Sequence, residues 1–195
     1  MNALRRPTKA RALQQVYQLH VQLEDIKPVI WRRLWVPGNL PLAKLDRVIQ
    51  AAMGWQNMHL HAFDIAQVRY ALPDPEWPQE EDRDERKYDL DSVLADGTTE
   101  FVYTYDYGDD WRHHVRVEAI LTPDEKNRRT TCIAGANACP PEDVGGPPGY
   151  GEFLHAMSDS LHPQHMDLWG WYGGPFDPKG FDMNAVNAAL RKLRL

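Results

Sequence analysis

The chain has 195 residues, 43% of them apolar and 26% charged, with a formal net charge of −6. A globule of this length buries roughly 70% of the surface that its unfolded chain exposes, so folding requires neither disulfides nor a structural metal. The acidic balance argues against general coating of nucleic acid, which depends on cations that neutralise phosphates.

The basic residues gather at the two ends, as Arg5, Arg6, Lys9 and Arg11 and as Arg191, Lys192 and Arg194. Nucleic acid is therefore not an expected partner except through these short clusters. Cys132 and Cys139 are too far apart in sequence for a CxxC clamp. The N-terminal stretch has no apolar core of a secretory signal, so a reduced, cytoplasmic setting is expected. No apolar run is long enough to span a bilayer, and no membrane association is expected.

Residues 1–13 read as a flexible basic tail, and 14–195 as a single domain. Tyr17, Leu19, Val21 and Leu23 alternate with polar residues, the period of a half-buried strand. Pro28 marks a turn, and Val29–Val36 reads as the returning strand of a hairpin. Leu42, Leu45, Ile49 and Ala52 recur at helical spacing between Pro41 and Gly54, which suit a helix start and a C-terminal cap. Leu60–Tyr70 is strand-like, with a tight turn at Ala66-Gln67. Residues 74–91 hold nine acids against three bases and read as a solvated loop. Phe101–Tyr107 and Val115–Leu121 form a second hairpin around Gly108-Asp109-Asp110. Residues 140–149 read as a rigid Gly/Pro loop, 150–159 as a helix and 169–180 as a Gly/Pro/aromatic loop. Asp182 caps a last helix with the stripe Met183, Val186, Leu190 and Leu193. The fold class is thus α+β: a mainly antiparallel sheet of about five to six strands with helices packed on it. A β-grasp-like arrangement of the first part is compatible with this order.

Five stretches together resemble the plasmid pRiA4b ORF-3-like family. They are Ile26–Arg33 with Val36-Pro37; Ala52–Trp55 with His59-Leu60 and Phe63; Tyr105–Trp111 with His113 and Val117-Glu118; Cys132, Gly135 and Cys139–Gly146 with Gly149-Tyr150; and Phe176–Pro178 with Phe181-Asp182 and Asn187. They run from the first strand to the last helix. Two positions depart from the usual pattern: Val144, where Cys is frequent, and Tyr107, where Phe is frequent. The resemblance implies a cytoplasmic prokaryotic protein linked to plasmids or mobile elements, with no established activity. Some members carry the label of transposon resolvase.

The residues give that label little support. Ser92 lies among acids that repel phosphate, and Ser158 and Ser160 lack an activating base or an arginine cluster. Tyr, Arg and His are plentiful, so a tyrosine-type site stays open.

Two readings of the chemistry rank above a recombinase. One is a metal-dependent hydrolase with an Asp/His site. His59, Asp106, Asp109, Asp110, His113, Glu142 and Asp143 fall on or near loops, with Trp111 beside them, and imidazole with carboxylates holds zinc or manganese. Within this set His59, Asp106, Asp110 and His113 are the candidate ligands of a divalent metal. The plainer explanation is that turn aspartates bond their own backbone and that a histidine beside tryptophan is structural.

The other reading, preferred on sequence, is a non-enzymatic interaction module. The hairpin aromatics Tyr103, Tyr105, Tyr107 and Trp111, with the neighbouring acids, would meet a cationic protein or peptide. Convergence of His59, Asp106, Asp110 and His113 on one point would favour metal; separate orientations would favour the module.

Overall fold

The computed structural model describes residues 15–74, 79 and 81–195. The expected basic tail at 1–13 lies outside these residues. The alternation at the start of the domain becomes β1 (Val16–Leu23), which buries Tyr17, Leu19, Val21 and Leu23. It pairs antiparallel with β2 (Trp31–Pro37), as the hairpin pattern predicts. Helix α1 (Leu42–Met53) follows, ended by Gly54 in the left-handed conformation at φ 101°. Its stripe Leu42, Leu45, Val48, Ile49, Ala52 and Met53 is buried. Each large side chain there contributes about 1.5–3 kcal/mol on leaving water.

The chain then forms β3 (His61–Ile65) and β4 (Val68–Ala71), joined by Ala66 and Gln67 at φ 48° and 65°, the backbone of a tight hairpin turn. Next come β5 (Arg83–Asp84), a 3-10 turn at Glu85–Lys87 and the short α2 (Leu90–Val93), capped by Asp89. Strands β6 (Glu100–Tyr105) and β7 (Trp111–Leu121) make the second hairpin. After them lie β8 (Thr131–Ala136), α3 (Gly146–Ser158), α4 (His165–Tyr172) and α5 (Met183–Lys192), whose N-cap Asp182 accepts from Asn184 and Ala185 N–H.

One sheet unites the strands in the order β5-β4-β3-β6-β7-β1-β2-β8. All neighbours are antiparallel except β4 and β5. The fold class is α+β as expected, but the sheet has eight strands rather than five or six. The two extra strands have weak signals: β5 spans only two residues, and β8 (TCIAGA) carries little apolar alternation. A β-grasp-like opening is seen only in the order of hairpin then helix, because the second neighbour of β1 is antiparallel β7.

Three segments depart from the sequence reading. The helix expected at 150–159 starts earlier, at Gly146, because Pro147 and Pro148 fill its first turn, where a missing N–H costs nothing. The loop expected at 169–180 begins inside α4, which ends at Gly173 at φ 89°. The acidic stretch, expected as a solvated loop, carries the fully buried Glu85 and the buried Leu90.

The core lies between α1 and one face of the sheet, where Leu19, Phe63, Tyr103, Tyr105, Trp111 and Val115 have 0–1% exposure. Arg32 of β2 also points inward. Its guanidinium donates to the carbonyls of Ala52, Trp31, Ala136 and Asn137 and lies 4.4 Å over the Phe181 ring. This one side chain joins α1, β2 and the end of β8. The opposite sheet face is polar, with the Arg33–Glu118 ion pair and the Gln18–Trp35 hydrogen bond.

Candidate functional site

Three loops meet at the end of the sheet where β3 begins and β6 ends. The first runs from Trp55 to Leu60, between α1 and β3. The second is the β6–β7 turn, and the third is the Gly/Pro segment before α3. Asp106 N–H donates to the Leu60 carbonyl at 2.8 Å and Trp55 Nε1 donates to the Pro140 carbonyl at 3.1 Å. Glu142 accepts from Gln56 N–H at 2.7 Å and from the Tyr105 hydroxyl at 3.1 Å. Burial, aided by the Glu142 charge, pushes the Tyr105 phenol up to about 12, so it stays protonated and donates. Gly145 N–H donates to Asp109 Oδ2 at 3.1 Å, which fastens the third loop to the second.

This knitting gathers one imidazole and three carboxylates. His59 Nε2 lies 3.0 Å from Asp143 Oδ1, 3.6 Å from Asp106 Oδ2 and 3.8 Å from Glu142 Oε2. The His59, Asp106 and Asp143 donor atoms all fall within 4.8 Å of one another. His59 Nε2 is shielded from solvent, yet it forms no hydrogen bond among the described residues. The 3.0 Å approach of Asp143 therefore brings the two groups close without a hydrogen-bonding angle.

Asp106 (φ 58°) and Asp143 (φ 56°) both sit in the left-handed region, which aspartate tolerates better than most residues. In Asp106, Oδ1 accepts from the N–H of Gly108 and Asp109, which leaves Oδ2 turned to His59. Three carboxylates around a solvent-shielded imidazole nitrogen place negative charge where desolvation is costly. One imidazole with carboxylates, of which Asp143 is 68% exposed, is a donor set of the kind that divalent metals take.

The residues singled out from sequence divide accordingly. Of the four candidate metal ligands only His59 and Asp106 come together, with Glu142 and Asp143 beside them; Asp110 and His113 do not join, so the expected four-residue convergence is not met. Asp109 supports them through Gly145. Asp110 stays exposed in the turn, its N–H donated to the Asp106 carbonyl at 2.7 Å. His113 and Trp111 are core residues, 0% and 1% exposed. His113 Nδ1 lies 3.1 Å from the Tyr103 carbonyl, and its ring meets Trp55 edge-on. Strand parity separates them: His113 lies on the buried face of β7, inside the sheet, and the cluster sits at the sheet's end. The same burial removes Tyr103, Tyr105 and Trp111 from any docking surface at the hairpin, and only Tyr107 is exposed, at 45%.

A second polar group was not legible in the sequence. His61, two residues after His59, points into the core between Asp46 of α1 and Glu85. Its Nδ1 is 3.2 Å from Asp46 Oδ1, and its Nε2 is 3.0 Å from Glu85. Burial works against a charge on this imidazole, but the Glu85 hydrogen bond and the Asp46 and Glu85 charges outweigh it and raise its pKa. Asp46 Oδ1 also accepts from Tyr103 at 2.6 Å and from Gln50 at 2.7 Å. Asp46 occupies a buried position of the α1 stripe, where a carboxylate breaks the apolar pattern. That break was the available signal.

A cavity of about 850 Å3 lies above this triad. Asp46, His61 and Glu85 line it, with Arg47 and Tyr107, and His59 stands at its edge. Of the loop cluster only His59 lines it; Asp106, Glu142 and Asp143 do not.

Comparison with known proteins agrees with this architecture. The family model for the plasmid pRiA4b ORF-3-like protein matches residues 15–185. The uncharacterised protein y4hQ of Sinorhizobium fredii is 37% identical over 180 residues, 91% of this chain and 92% of that protein. The crystal structure of MM3350 from Methanosarcina mazei Go1, a protein of unknown function, superposes with a TM-score of 0.80 at 35% identity. That match covers 89% of this chain and 98% of the archaeal one. By sequence match and shared fold, the chain belongs to the plasmid pRiA4b ORF-3-like family, whose matched members here have no known function.

Proposed function

We propose that this protein is a divalent-metal-dependent hydrolase. The cation sits among His59 Nε2, Asp106 Oδ2 and Asp143 Oδ1, and the substrate occupies the adjoining cavity of about 850 Å3. The observation that carries the reading is the solvent-shielded His59 nitrogen, without a hydrogen-bond partner and surrounded by carboxylates. One imidazole with several carboxylates suits manganese, iron or zinc. A metal so held lowers the pKa of bound water and polarises a scissile carbonyl or phosphoryl oxygen. Glu142, fixed by Gln56 N–H and the Tyr105 hydroxyl, stands beside His59 to accept the proton of an attacking water. The two unpaired thiols, Cys132 and Cys139, fit a cytoplasmic setting, and no helix among the described residues is long and apolar enough to cross a membrane.

Plasma mass spectrometry and manganese and zinc titrations of the purified protein test this. Near-stoichiometric metal is expected in the wild type, lost in His59→Ala and Asp143→Asn and kept in His113→Phe. Wild-type protein that takes up neither ion, or a His59→Ala variant that binds as well as wild type, would refute the centre. Hydrolysis of ester, amide and phosphoester panels then tests the activity.

One observation favours a second reading, an interaction module. The apolar residues Leu161, Met166, Trp169, Trp171 and Tyr172 on and beside α4 are exposed by 38–90%, next to Asp159 and Asp167. Aromatics with an acidic rim suit a basic peptide. Peptide binding abolished by Trp171→Ser, with metal content unchanged, would support this module, and binding insensitive to that change would not.

A further inference from the structure

The basic residues of this acidic chain have a second gathering place, remote in sequence from the His59 loops. A cavity of about 580 Å3 lies between the β2–α1 turn, the segment before β8 and the end of α5. Lys44, Arg128, Arg129 and Arg191 line it, and no carboxylate side chain does. Their compensation is slight. Arg128 reaches Glu125 at 3.9 Å, and that glutamate is 93% exposed. Lys44, Arg129 and Arg191 make no ion pair among the described residues.

The other walls share the same preference. Leu40 and Leu190, 6% and 3% exposed, give an apolar lining. The Thr130 hydroxyl is shielded from solvent and lacks a hydrogen-bond partner among the described residues. α1 starts here at Pro41 with no side-chain cap and no acid in its first turn, so the positive end of its dipole adds to the field. Like charges gathered with only the exposed Glu125 as a side-chain partner repel one another, and an anion relieves them. A shielded hydroxyl without a partner costs free energy that a ligand oxygen would recover.

We propose that this cavity binds a small phosphate ester of mononucleotide size. Arg129, Arg191 and Lys44 take the phosphate, Thr130 donates to one of its oxygens, and the leucines cover the apolar remainder. Two features favour a small ligand over a nucleic-acid backbone. The charges are concave rather than arranged in a stripe, and the volume falls within the ordinary range of small-molecule pockets, roughly 300–1,000 Å3. The proposal is independent of the metal centre.

The test is calorimetric titration of the full-length protein with ATP, with inorganic pyrophosphate and with a short single-stranded oligonucleotide. A chelator in the buffer keeps metal from bridging. Saturable ATP binding that weakens as salt rises is expected. The double change Arg129→Gln/Arg191→Gln should weaken it by about tenfold or more, the scale of charge-assisted hydrogen bonds. Thr130→Val should weaken it less, and Arg112→Gln, on the far sheet face, should leave it unchanged. Circular dichroism checks that each variant folds. Three results would overturn the proposal: no saturable binding of ATP or pyrophosphate, ATP binding indifferent to the double change, or tight oligonucleotide binding without ATP binding. The last would reassign the cavity to nucleic acid.

Discussion

His113 lends itself to a quantitative test, because its burial has a thermodynamic consequence in acid. The ring is fully buried, Nδ1 faces the Tyr103 carbonyl at 3.1 Å, and Nε2 has no hydrogen-bond partner among the described residues. Such a histidine is neutral in the folded state. Burial lowers its pKa from 6.5 to about 4, and the Tyr103 carbonyl only partly opposes the shift. The unfolded chain takes up a proton near pH 6.5 and the folded chain does not. The stability His113 provides is therefore fully present above about pH 6.5 and is lost as the pH falls towards about 4. At about 1.4 kcal/mol per pH unit, the loss across that window is about 3 kcal/mol.

His113→Phe keeps a flat ring but removes the proton site and the hydrogen bond to Tyr103. Near neutral pH it should be less stable than wild type by about 1–2 kcal/mol. At about pH 4 the wild type has lost about 3 kcal/mol through this site, so the order should reverse. Urea unfolding of both proteins at a series of pH values, with chelator present, measures the difference directly and cancels the other titrating groups. A difference that stays constant with pH would refute the argument.

Other changes probe the packing around the site. Glu85→Gln removes one partner of the buried His61, a change that costs about 3–5 kcal/mol; for a chain of this size that lowers Tm by roughly 6–20 °C, and a shift under about 2 °C in a thermal melt would contradict the buried pair. Arg32→Met keeps an aliphatic stem but strands the four carbonyls it now serves, and a loss of about 3 kcal/mol or more is expected in urea unfolding. Gly146→Ala would bring a Cβ to 2.5 Å from the Asp109 carbonyl oxygen at φ +67°. It should displace the Asp143 loop and weaken manganese binding, whereas Gly151→Ala, with open space around it, should leave binding intact. Equal affinities in the two variants would show that this loop does not position Asp143.

How far the site could be read in advance depended on what each signal measures. His59, Asp106, Glu142 and Asp143 were all candidates from the sequence, because acids and histidines in turn-forming segments stand out by residue type. Which of them meet was not legible. Asp106 and Asp110 share one turn, yet a left-handed backbone at both residues sends one carboxylate to His59 and leaves the other exposed. His113 follows Asp110 closely in sequence and shares nothing with it in space, since strand parity commits it to the core.

Local pattern was enough to place the separate elements: the alternation of β1, the stripe of α1 between Pro41 and Gly54, the hairpin of β6 and β7, and the Asp182 cap of α5. Periodicity reports which face of an element is buried, and these elements follow from it. Which faces meet depends on long-range pairing, which no local pattern encodes. The fold set β1 beside β7, added the faintly patterned β8 at the sheet edge, and carried Glu85 from an acidic stretch into the core beside His61 and Asp46. Burying a carboxylate costs free energy unless a partner is waiting, and that partner lies on a different strand, out of reach of any local pattern.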